Sequence, residues 1–254
     1  MQYIPVANKL PFDLSVMSNF TNLSVKTNIS GLSTSNGSDV EIKCKAFSTN
    51  VIASKKIALL TKIEGLKIDP IISKELNLVA KRLENSGWII EEPKAPNFQE
   101  AANFQATLWL GEFRRTGGEA ITKENDPDSN FIYNQMSRRC PDTSLEKFMD
   151  SLQQRARISR EWNKFFDQHP IILCPITGDI PFPDLKDLES EESFDLVFDS
   201  MLPQIAPPYM GLPGLSFATS QTKQKIPLGV QFISRKFRED LLLNVGYDLS
   251  LIHI

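Results

Sequence analysis

Serine, lysine, histidine and cysteine are the side chains here that could carry covalent or acid–base chemistry. Ser-x-x-Lys, which pairs a hydroxyl with an amine able to serve as its base, occurs at Ser144/Lys147 and Ser220/Lys223. With 23 serines and 18 lysines among 254 residues, chance supplies about two such pairs. Ser144 also opens a long amphipathic stretch, where a serine ordinarily caps or faces solvent. A Ser–His–Asp arrangement has only His169 and His253 to draw on. His169 ends a helical pattern, where a cation suits the dipole, and His253 is penultimate, where chains fray. Cys174 lies within a continuous apolar run and reads as a packed thiol. No Cys/His cluster has metal-ligand spacing and no glycine loop is built to cradle phosphate, so neither metal nor cofactor is expected. The residues alone name no catalytic group.

Other polar residues have structural readings. Gln105 and Glu112 fall on or near the apolar stripe of a helix, where burial would demand a partner, such as Arg115 or another arginine for Glu112. Gln231 lies in a strand and reads as sheet-end packing. The acidic stretch Asp184–Asp199 reads as a solvated loop, with a lid over a substrate as the sharper alternative.

The elements that would position these groups alternate. Ile57-Ala58-Leu59-Leu60 has the continuous apolar run of a strand covered on both faces. Asp69-Pro70 is a helix start, an N-cap followed by proline. Ile72, Leu76, Val79, Ala80 and Leu83 share one face, and Gly87 supplies the left-handed cap before a strand at Trp88-Ile89-Ile90. A second helix, about Phe98–Arg115, places Phe98, Ala101, Ala102, Leu108 and Trp109 on one stripe. A third, about Ser144–Gln168, does the same with Leu145, Phe148, Met149, Leu152, Trp162, Phe165 and Phe166. Ile171–Cys174 is another buried strand. Pro181–Pro208 is acidic, proline-rich and too broken for long elements. Leu215–Thr219 and Leu228–Ile233 form neighbouring strands joined at Gln221–Lys225, and a final helix from near Arg238 buries Leu241, Leu242, Val245 and Leu249. The pattern predicts an α/β fold, a mixed sheet sandwiched by helices over residues 55–254. Residues 1–54 read as a Ser/Thr/Asn-rich leader, poorly ordered or made of weak strands. Its four Asn-x-Ser/Thr triplets, at Asn19, Asn22, Asn28 and Asn36, follow from composition.

Composition sets the class. With 41% hydrophobic and 23% charged residues and a formal charge of −3, the chain suits a soluble globular protein and not a basic nucleic-acid binder. No 18-residue apolar run offers a membrane span, and the first ten residues lack a signal peptide's pattern. Three scattered cysteines fit a reducing, cytoplasmic setting.

Three late motifs carry a resemblance. Gly-Leu-Pro-Gly-Leu-Ser-Phe at Gly211–Phe217, Ile-Pro-Leu-Gly-Val-Gln-Phe-Ile at Ile226–Ile233 and Phe-Arg-Glu-Asp-Leu-Leu-Leu at Phe237–Leu243 resemble the closing stretch of amidase signature enzymes. Lys56–Leu60, Asp69–Ile72, Leu83–Trp88 and Ile172–Thr177 fall in the order that family uses, so the likeness spans about Lys55–Ser250. It implies hydrolysis of carboxamide C–N bonds by a Ser–Ser–Lys triad, with a glycine- and serine-rich loop holding the oxyanion. It also places Tyr209, Met210, Gly211 and Leu212 at the wall of the acyl pocket. Where members taking polar substrates often have asparagine, three residues before Gly211, this chain has Pro208.

The Gly-Gly-Ser-Ser-Gly-Gly loop is missing from the sequence. Gly117-Gly118 is followed by Glu119, and Gly31–Gly37 is only a serine-rich turn. The chain therefore reads as the C-terminal portion of an amidase behind an unrelated or frame-shifted leader, inactive alone. Its expected partners are a small-molecule amide and either a missing N-terminal half or a second copy. The alternative is a non-catalytic binding or assembly module that retains part of the fold.

Overall fold

The computed structural model describes residues 23–26, 41–44, 55–141 and 144–251. Asn19, Asn22, Asn28, Asn36, Gly31–Gly37 and His253 lie outside them. The chain divides into two units, Met1–Ser54 and Lys55–Ile254. In the first, β1 (Leu23–Lys26) and β2 (Glu41–Cys44) pair antiparallel, with Leu23 opposite Cys44.

The second unit begins with a strand–helix–strand: β3 (Lys56–Leu59), α1 (Pro70–Asn85) and β4 (Ile89–Glu91). The Asp69 carboxylate accepts the Ile71 N–H at 2.6 Å and Pro70 fills the first helical position, as expected. Past the helix end Gly87 takes φ +84°, and the Trp88 N–H returns to the Leu83 carbonyl at 3.0 Å. The chain then re-enters the sheet. Strands β5 (Ile171–Pro175), β6 (Gly214–Gln221) and β7 (Pro227–Ser234) complete it in the order β4-β3-β5-β7-β6. β3 pairs parallel with β4 and β5, whereas β7 pairs antiparallel with β5 and β6, so the sheet is mixed as expected.

Alternation along the strands divides the core. Ala58, Ile172, Cys174 and Ile233 point into one apolar cluster with α2 (Phe98–Thr116), α5 (Leu145–Gln168) and α7 (Leu202–Met210). Their neighbours Ile57, Leu59, Ile171, Leu173 and Phe232 are equally buried on the other face, where α1 and α8 (Glu239–Leu251) pack. α8 buries Leu241, Leu242, Val245 and Leu249, as expected. Gly178, after β5, joins three segments: its N–H donates to Ser200 and its carbonyl accepts from Asp69, both at 2.8 Å. A Cβ there would stand 2.3 Å from the Lys67 carbonyl oxygen, so only glycine fits.

Several expectations are corrected. Trp109 is 56% exposed, and its neighbour Leu110 is buried instead. Leu145, Met149 and Leu152 leave an open apolar stripe on α5, although Trp162 and Phe166 are buried. Helical period identifies a face; it does not say whether a neighbour covers all of it. Two helices are additional to those expected, α3 (Gly118–Glu124) and α4 (Pro127–Arg139); α4 has Ile132, Tyr133 and Met136 on one face, none of them buried. Pro181–Pro208 forms a 3₁₀ turn (Lys186–Leu188), α6 (Glu191–Ser200) and most of α7. The acidic residues at 191–199 therefore stand on a helix, not in a solvated loop.

α7 contains Pro207 and Pro208. Pro207 cannot donate to the Pro203 carbonyl one turn back. Gln231 of β7 supplies that bond instead, its side-chain amide donating to the Pro203 carbonyl at 3.0 Å.

Candidate functional site: an apolar cleft between α2, α4, α6 and α7

The cleft depends on helices that ion pairs and caps hold in place. α4 starts as α1 does: Asp126 accepts the Ser129 N–H at 2.8 Å and Pro127 follows. Backbone and side-chain hydrogen bonds from Ser129 hold the Asp126 carboxyl below its ordinary range. At its end, the Arg114 guanidinium from α2 donates to the Cys140 carbonyl. α6 is capped by Ser190, which accepts the Ser193 N–H at 3.1 Å. Arg138 and Arg139 then clamp α6 to α4. Both reach Asp195 at 2.6 Å, Arg138 meets Glu191 at 3.1 Å and Arg139 also pairs with Asp199. The Arg139 guanidinium carbon lies 4.5 Å from the Phe198 ring centre. Burial pulls the Asp195 carboxyl upward, but the bonds from Arg139 and Arg138 outweigh it and leave the group below its usual range.

Three cavities open among these helices; one, about 320 Å³, is lined by polar groups including Asn103, Arg139 and Asp199, and the other two join. The larger of those two, about 510 Å³, lies among α2 (Trp109, Leu110, Phe113), α3 (Ile121), α4 (Asp128, Ser129, Ile132, Tyr133, Met136) and the 3₁₀ segment (Leu185, Asp187, Leu188). The smaller, about 480 Å³, is lined from α6 by Phe194, Val197 and Phe198 and from α7 by Gln204, Ile205 and Pro208, with Gln105 and Met201. Trp109, Ile132, Met136 and Asp187 line both, so the two form one cleft. Such volumes and walls suit a small organic molecule that is largely apolar.

The residues singled out from sequence divide between this cleft and plain structural roles. Pro208 and Gln105 line the smaller cavity. None of Tyr209, Met210, Gly211 and Leu212 lines either cavity: Tyr209 and Met210 are buried in the core, Leu212 packs against the same cluster, and Gly211 at φ +66° closes α7. The Tyr209 hydroxyl donates to the Ser151 carbonyl, and its ring stacks on Phe104 with centroids 5.7 Å apart. Glu112 is exposed and needs no buried partner. Ser144 caps α5, accepting the Lys147 N–H at 3.3 Å, so that Ser-x-x-Lys spacing is a helix cap. Ser220 and Lys223 are exposed. Gly117-Gly118 is the junction between α2 and α3. His169 ends α5 as expected, with Nε2 2.8 Å from a Glu91 carboxylate oxygen on β4. Hydrogen bonding from Lys56 leads the causes that hold Glu91 below its ordinary range. Cys174 is buried, and burial pushes its thiol up to about 12.

Sequence reasoning missed Ile132 and Met136, reached Leu185 and Asp187 only through the lid alternative for Asp184–Asp199, and assigned Trp109 to the core. Asp126-Pro127 repeats the Asp69-Pro70 signal and could have revealed α4. Ser190-Glu191-Glu192, a cap followed by an acidic first turn, could have revealed α6. Among the described residues, no group of three His, Cys, Asp or Glu is placed to hold a metal ion, and no helix is long and apolar enough to cross a membrane.

The family model described as Amidase matches residues 24–243. The chain belongs to the amidase family. The amidase match begins within the Ser/Thr/Asn-rich leader, upstream of the first motif that resembles the family. An indoleacetamide hydrolase of Bradyrhizobium diazoefficiens is 26% identical over 192 residues, covering 75% of this chain and 36% of that protein. A glutamyl-tRNA(Gln) amidotransferase component from Treponema denticola is 24% identical over 229 residues, covering 81% and 47%. The chain thus spans less than half the length of these two amidase relatives. Among solved structures, a fatty acid amide hydrolase superposes with a TM-score of 0.63 at 15% identity, covering 87% of this chain and 43% of that one. The amidase fold is therefore shared well beyond recognisable sequence.

Proposed function

We propose that this chain forms the acyl-binding portion of an amidase that hydrolyses carboxamide C–N bonds, selecting substrates with an apolar acyl group. The observation that carries the reading is the two-chamber cleft, whose walls are mainly aromatic and aliphatic and which has Pro208 where a polar contact would otherwise stand. Tyr209 and Met210, buried in the core, anchor the end of α7, so that Ile205 and Pro208 hold their places in the cleft wall. The relative named for indoleacetamide, an aromatic acetamide, accords with such a pocket.

The attacking hydroxyl and the amine that activates it come from another part of the amidase fold. Ser151, Ser200 and Ser234, the buried serines among the described residues, all donate to backbone carbonyls. No described serine is hydrogen-bonded to a lysine amine or a histidine ring. The open stripe of Leu145, Met149 and Leu152 on α5 suits burial against that other part. Losing nucleophile and base costs roughly 10⁶ in kcat in a serine hydrolase, so this polypeptide binds amides without turning them over.

Calorimetric titration with phenylacetamide, hexanamide and acetamide, with ammonia measured in parallel, tests both halves of the proposal. Binding of the first two, weaker binding of acetamide and no ammonia are expected. Equal affinity for all three contradicts the apolar pocket, and ammonia release lost on changing one of the chain's own serines contradicts the division of labour.

A further inference from the structure

Among the described residues, the larger cavity is lined by two carboxylates and by no cation that would neutralise them. Asp128 and Asp187 both line it, and no described lysine, arginine or histidine does. Neither carboxylate takes part in an ion pair among the described residues. Asp128 sits in the first turn of α4, where a carboxylate suits the helix dipole on its own account. Asp187 has no such explanation. It belongs to a three-residue 3₁₀ turn and stands half-buried on the wall common to both cavities.

Aromatic rings share that cavity. Trp109, Phe113 and Tyr133 line it, and the Phe113 and Tyr133 rings meet edge to face at 5.9 Å. Trp109 keeps more than half its surface open. Ring faces carry negative potential and attract cations, most strongly for tryptophan. Carboxylates and aromatic faces therefore favour the same charge. A neutral ligand filling this space would strip water from Asp187 without replacing its hydrogen bonds, and an anion would meet two like charges.

We propose that the cleft takes amphiphilic cations: an apolar chain or ring in the smaller cavity, with its ammonium group at Asp187 and Asp128 among the rings of the larger. This inference rests on the acyl-pocket reading and narrows it to carboxamides whose acyl group ends in a cationic nitrogen.

Titrating the full chain with hexylammonium, hexan-1-ol and hexanoate at low salt tests it. Hexylammonium binds about tenfold more tightly than hexan-1-ol, hexanoate binds most weakly, and added salt erodes the difference. Asp187→Asn cuts the ammonium advantage to less than about threefold and leaves the thermal melt unchanged. Asp128→Asn, at an exposed position, cuts it in part. Equal binding of amine and alcohol, or an undiminished advantage in Asp187→Asn, overturns the cation proposal and leaves the apolar pocket standing. Failure of all three ligands to bind overturns both.

Discussion

Gln231 donates its side-chain amide to the carbonyl of Pro203 at 3.0 Å, and so supplies the bond that Pro207 has no N–H to make. The same amide nitrogen lies 3.9 Å from the Cys174 sulfur, with all three groups inside the core. One side chain of the sheet thus makes a proline-bearing α7 tolerable. α7 in turn carries Ile205 and Pro208 into the cleft wall.

Replacing Gln231 with leucine keeps the bulk and leaves the Pro203 carbonyl buried and unpaired. A loss of about 1–3 kcal/mol is expected, read as a lower urea midpoint at an unchanged slope. Binding of phenylacetamide should weaken as well, because α7 is no longer held in place.

The clamp between α4 and α6 depends on pH. The Asp195 carboxyl titrates below the ordinary aspartate value of about 3.9. A lowered folded value means that the group's contribution is complete above the unfolded value and is lost as pH falls through the folded one. Asp195→Asn should therefore melt earlier than the native chain at pH 7. The gap should close below about pH 3.9, when the native carboxyl is also neutral. Thermal melts of both proteins across pH 7 to the acid limit check this.

Cys174 should resist thiol reagents while the protein is folded. Its thiol is pushed up to about 12 by burial, so thiolate is almost absent at neutral pH. Cys140, half-buried, should react before Cys174. Peptide mapping after maleimide treatment should find Cys174 labelled only when denaturant is present.

The sequence revealed the sheet better than the cleft. β3–α1–β4 was readable because Asp69-Pro70 and Gly87 mark both ends of α1 and continuous apolar runs mark buried strands. α6 was not, because its charges suggested solvent. On the sequence nothing shows that Asp195 and Asp199 meet Arg138 and Arg139, more than fifty residues earlier. Trp109 was misread for a related reason. It lies on an apolar stripe, but that part of the stripe faces a cavity and not a neighbouring helix. The cleft gathers its walls from six segments between Gln105 and Pro208, none of which carries a motif for it. The absent Gly/Ser loop, a local pattern, could be judged from sequence at once.

A serine-directed fluorophosphonate probe, applied to the purified chain and followed by intact-mass measurement, bears most directly on the division between binding and catalysis. An unlabelled chain that still binds phenylacetamide is the expected result. Stoichiometric labelling at one of its own serines, abolished by changing that serine to alanine, would contradict it.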